Sequence, residues 1–139
     1  MKLKSIWLSW LYLYILTAIL GFIPQPGGVV YALLLCVGIC FFIPGFALVY
    51  RADIREQYDI IRKIRTISIV ALCVDVFLIC VNFASALFPG TMGIAWGIVL
   101  HVMLVLFTAP MVCAQAWVVA LFGWACLLFY TLSVLKKNR

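Results

Sequence analysis

Acidic side chains are almost missing from this chain: Asp53, Glu56, Asp59 and Asp75 are the only four in 139 residues. Histidine is rarer still, with His101 alone. Charged residues of both signs make up 10% of the sequence, whereas a soluble domain carries about 25%. So little charge cannot cover a folded surface for water, and the surface must face lipid instead. No HExxH, GxSxG, P-loop or dinucleotide fingerprint occurs, so no enzyme, metal or cofactor is expected.

Polar loops also lack cysteine. Cys36, Cys40, Cys73, Cys80, Cys113 and Cys126 all fall inside apolar runs, with no CxxC pair among them. Neither a disulfide framework nor a zinc site follows, and the thiols serve as small apolar fillers.

What charge there is has a pattern. The formal net charge is +6, and the ten basic residues sit in three short segments. These are Lys2 and Lys4; Arg51, Arg55, Arg62, Lys63 and Arg65; and Lys136, Lys137 and Arg139. A nucleic-acid binder builds a continuous basic face, so nucleic acid is not an expected partner. Basic residues flanking apolar runs mark cytoplasmic membrane edges and attract anionic headgroups. The sequence thus reads as an integral protein of a bacterial plasma membrane with its N-terminus in the cytoplasm.

The expected architecture is all-α, a polytopic bundle forming a single integral membrane domain over 1–139. Five spans are favoured, at about 6–23, 29–50, 66–88, 93–109 and 111–135; four plus a re-entrant or broken helix is the alternative. MKLKSIW resembles an export signal's basic start, but the apolar stretch after it is too long for one and reads as a retained first span. IPQPGG at 23–28 and FPGTM at 88–92 are uncharged turns. Tyr31, Gly38 and Gly45 recur every seven residues, giving a groove for a neighbouring helix. Pro44 predicts a kink near Phe41 to Gly45, with Pro44 and Gly45 as a candidate hinge. Residues 51–65 read as a cytoplasmic amphipathic helix on anionic headgroups, continuous with the third span, with Asp59 and Lys63 as an i, i+4 pair. One helix over 93–135 would measure ~65 Å, twice the hydrocarbon core, so Pro110 is taken as the break. Five spans leave Lys136, Lys137 and Arg139 outside, against the positive-inside rule.

Within the long apolar runs, Asp75 is the sole charged side chain. It lies nine residues past Thr66, roughly 14 Å into the membrane. That depth is beyond the reach of headgroups for a short side chain, so the carboxyl is expected to face the bundle interior. A carboxyl that holds its proton when dry and releases it when wetted suits a proton- or cation-coupled site. Structural glue through one interhelical hydrogen bond is the plainer alternative. Ser68, Asp75 and Asn82 are spaced by seven and form one stripe, with Ser85 close to it. His101, on the next helix behind Gly93 and Gly97, is expected to lie within 4–5 Å of Asp75 in depth, by about 1.5 Å of rise per residue, and to pair with it. The site expected is therefore Asp75, His101, Asn82, Ser68 and Ser85. The expected function is proton- or cation-linked transport by a homo-oligomer; the alternative is an accessory subunit of a larger membrane complex.

Overall fold

The computed structural model describes residues 3–22, 27–87, 94–107 and 117–137. The protein is an all-α bundle. Six helices are described: α1 (Leu3–Leu20), α2 (Gly28–Cys40), α3 (Ile43–Ile54), α4 (Tyr58–Leu87), α5 (Ile94–Phe107) and α6 (Trp117–Lys137). Lipid offers no partner for backbone N–H and C=O groups, and helices satisfy them internally. Counting α2 and α3 as one bent span, four helices are long and apolar enough to cross a membrane.

The bend falls where Pro44 requires it. α2 ends at Cys40, and the chain tightens through Phe42, whose N–H donates to the Ile39 carbonyl at 3.2 Å. Pro44 then occupies the first turn of α3, where a missing N–H costs nothing. Two apparently separate helices are thus one span with a proline offset.

Residues 51–65 do not form one surface helix. α3 runs on to Ile54, and a tight turn leads directly into α4. Glu56 takes a left-handed conformation (φ 55°) in that turn. The Gln57 N–H donates to the Ala52 carbonyl and the Glu56 N–H to the Asp53 carbonyl, which caps α3 in the Schellman manner. The second half of the segment is continuous with the third span, as expected. Asp59 pairs with Arg62 at 4.0 Å, one turn away on an exposed face. The turns at 23–26 and 88–93 and the break at Pro110 lie outside the described residues.

Aromatic rings at mid-bundle tie the helices together. Trp10 of α1 lies 6.1 Å from Phe41 and 6.2 Å from Trp124 of α6, ring centre to ring centre. Phe42 meets Trp124 edge-on at 5.3 Å. These rings belong to one core with Leu48, Val49, Ala52, Ile61, Ile64, Leu127 and Val134. Outward-facing Phe77, Phe83, Phe122 and Phe129 are exposed, as suits contact with acyl chains.

Helix direction follows from the contacts. Phe42 meets Trp124, Gly45 meets Leu127 and Phe46 meets Tyr130. Residue numbers rise together, so α3 and α6 are parallel. The C-terminal end of α6, with Lys136 and Lys137, therefore shares an end of the bundle with the last turn of α3 and the first turn of α4. Leu20 of α1 packs on Leu34 while Trp10 packs on Gly45, so α1 runs antiparallel to the α2–α3 span and Lys4 is at that end too. α5 enters from the opposite end. His101 lies against Phe22, and the Tyr14 hydroxyl donates to the Leu106 carbonyl, so α5 runs antiparallel to α1. The 14 described residues of α5 measure about 21 Å.

Candidate functional site

Asp75 lies on the inner stripe of α4. Ile61, Ile64, Ser68, Asp75 and Leu78 are the buried residues of this helix, and its main packing partner is α6. Spacings of three, four and seven put them on one face. The Asp75 side chain is 0% exposed. Neither carboxylate oxygen has a hydrogen-bond partner among the described residues. A buried, unsatisfied carboxyl group is among the costliest arrangements in a fold and calls for an explanation.

The buried hydroxyls of the bundle are already committed. Ser68 Oγ donates to the Ile64 carbonyl at 2.9 Å, Thr17 Oγ1 to the Tyr14 carbonyl at 2.9 Å, and Thr131 Oγ1 to the Leu128 carbonyl at 2.7 Å. All three residues are buried. Their oxygens keep a lone pair free to accept, so they can line a polar interior without opening it.

The expected stripe is only half realised. Ser68 and Asp75 are buried, whereas Asn82 is exposed. Ser85 is half-buried and donates to the Asn82 carbonyl at 2.7 Å, a bond within its own helix. A seven-residue repeat on a straight helix drifts about 20° per heptad, so the stripe rotates out of the interface toward its far end.

His101 does not pair with Asp75. It is exposed, and its ring stands edge-on to Phe22 at 6.3 Å. Phe22 lies eight residues beyond Tyr14, in the turn past the far end of α1. Tyr14 lines the same groove as Val74, the residue before Asp75. The histidine thus sits well nearer the far end than the acid. Gly97 has the same outward setting, with open space where a side chain would be. Among the α5 residues whose burial is described, Leu100 is buried and Gly97 is not; Gly93 lies outside the described residues.

Gly45 of the hinge pair is buried between Trp10 and Leu127, where an added Cβ would meet each at 3.2 Å. Gly38 is also buried, but Tyr31, the third member of that repeat, is exposed. Cys36, Cys40, Cys73 and Cys80 are exposed on helix faces. Trp10, Thr17 and Gly21, which with Tyr14 follow helical spacing toward neighbouring helices, are buried, whereas Thr131 and the side of Trp124 were not fixed by the sequence. In a sequence so rich in aromatics, only the i, i+3 and i+7 run of Trp124, Leu127 and Thr131 signals them.

No known protein family, curated protein or solved structure matches this chain. The reading of its function rests on the site itself.

Proposed function

We propose that this protein is a small integral membrane transporter that couples movement of its substrate to a proton or cation bound at Asp75. One observation carries the reading: the carboxyl group is fully buried on a spanning helix, and neither oxygen has a partner among the described residues. Intramembrane acids are costly and are retained where they bind or relay charge. Carboxylate oxygens not engaged by the described residues are free to take a proton or cation and to give it up. Ser68, one heptad nearer the basic end, supplies the closest buried hydroxyl on the same stripe.

Four crossings, with both termini in the cytoplasm, go with this reading. Lys4, Arg51, Arg55, Arg62, Lys63, Arg65, Lys136 and Lys137 then all obey the positive-inside rule. α5 is then an apolar helix inserted from the outer side. Four spans enclose little room for a pathway, and a homo-oligomer supplies the rest.

Flux into vesicles tests the proposal. Protein reconstituted with a pH-sensitive dye inside should dissipate an imposed proton or sodium gradient, and Asp75→Asn should lose that flux at equal incorporation. Equal flux from both would end the transport reading.

A second reading has its own support. Gly97 faces open space, so the close-packing face of α5 is available to a neighbouring helix. An accessory subunit would use that face to dock on a larger complex. Such a chain would be recovered with a partner and would lose it on Gly97→Leu.

A further inference from the structure

A second feature lies apart from Asp75. α1 and α4 both pack on α3, and between them they leave a groove of about 460 Å³. That volume is in the range of small-molecule sites. Its walls are almost wholly apolar: Trp7, Leu11 and Tyr14 from α1, and Ile67, Val70 and Val74 from α4. Trp10 and Trp124 close its floor. Trp10 is 6% exposed, and its Nε1–H has no acceptor among the described residues. A buried indole N–H without a partner costs about 1–3 kcal/mol. The groove therefore combines an apolar slot with an unmet donor.

Charge marks one mouth of the slot. On α1, Lys4 precedes Trp7, Leu11 and Tyr14 by three, seven and ten residues and shares their face. On α4, Lys63 precedes Ile67, Val70 and Val74 by four, seven and eleven. Both lysines are exposed at the basic end of the bundle. Arg62, beside Lys63, is already paired with Asp59. Two cations above an apolar slot match one kind of molecule in a membrane.

We propose that the groove between α1 and α4 is a specific site for an acyl chain of an anionic phospholipid from the leaflet at the basic end of the bundle. The chain fills the slot, the Trp10 N–H meets an ester carbonyl oxygen, and Lys4 and Lys63 hold the phosphate. Zwitterionic lipid satisfies the slot equally well but not the lysines, and a second copy of this protein would bring two more cations to the same mouth. Charge therefore favours the anionic lipid over both.

Tryptophan quenching tests this. Trp7→Phe, Trp96→Phe and Trp117→Phe together leave Trp10 and Trp124 as the only fluorophores. The protein is placed in phosphatidylcholine vesicles containing a small fraction of chain-brominated phosphatidylglycerol, or the same fraction of chain-brominated phosphatidylcholine. The expected result is about tenfold stronger quenching per mole by the glycerol lipid, given two basic contacts. Lys4→Gln with Lys63→Gln should bring the two lipids level. Val70→Phe, on the exposed rim, should reduce quenching by both, with circular dichroism confirming that the helices are intact. Equal quenching by the two lipids would reduce the groove to ordinary lipid contact and overturn the proposal. Absence of quenching, with a dimer by sedimentation, would overturn it in favour of a second copy.

Discussion

Phe42 fills the space that a side chain at Gly123 would need: a Cβ built on Gly123 falls inside the contact distance of the Phe42 ring. The ring has little room to yield, because Phe41 stands edge-on to it at 5.2 Å and Trp124 at 5.3 Å. Gly123→Ala should therefore cost about 1–3 kcal/mol through overpacking. Gly45→Ala should cost less, since its nearest contacts are the side-chain atoms Leu127 Cδ2 and Trp10 Cζ2 at 3.2 Å. Thermal unfolding in detergent, followed by tryptophan fluorescence, should rank wild type, then Gly45→Ala, then Gly123→Ala.

The turn between α3 and α4 stores strain that a substitution can release. Glu56 sits at φ 55°, where a side chain costs roughly 1–2 kcal/mol and glycine nothing. Part of that gain is lost to the greater freedom of glycine in the unfolded chain. Glu56→Gly should stabilise the protein by ~0.5–1 kcal/mol, and Glu56→Val should destabilise it. Paired denaturation curves check both signs.

Stability separates a working acid from a structural one. If Asp75 were glue, its removal would lose an interhelical hydrogen bond of about 0.6–2 kcal/mol. With no partner on either oxygen among the described residues, Asp75→Leu instead removes a buried polar group that costs stability. Asp75→Leu should unfold at an equal or higher denaturant concentration than wild type while losing flux. A drop in the midpoint would support glue.

Parallel α3 and α6 lead to a topological prediction. On the proposed orientation, with the basic end of the bundle in the cytoplasm, green fluorescent protein fused after Arg139 should fluoresce, as should a fusion before Met1. An alkaline phosphatase fusion at either end should be inactive. The reverse pattern at the C-terminus alone would require an odd number of crossings.

Much of this was legible in the residues, for definite reasons. Apolar runs bounded by basic residues locate α1, the α2–α3 span, α4 and α6, because lipid imposes length and end chemistry together. Pro44 locates the bend because it has no N–H to give. Asp75 was legible as interior from depth alone. What eluded the sequence lacked a local signal. Residues 93–135 form a nearly continuous apolar run, in which hydropathy alone does not say where one helix gives way to the next. Trp124 looks the same in sequence whether it faces lipid or a neighbouring helix. The left-handed residue of the α3–α4 turn is Glu56 rather than the glycine that usually announces it. Asn82 and His101 each shared a favourable spacing with Asp75, yet helix drift and the entry side of α5 carry them away from it.

Whether the Asp75 carboxyl exchanges its proton is read most directly by infrared difference spectroscopy on the protein in bilayers. Spectra are taken at acid and alkaline pH, for wild type and for Asp75→Asn. Asp53, Glu56 and Asp59 are the other acidic side chains, and all three lie in the polar segment at the basic end. The account predicts a carboxyl band in wild type that responds to pH or to added sodium and is missing from Asp75→Asn. Identical difference spectra from the two proteins would show that Asp75 neither loads nor unloads, and would contradict the account.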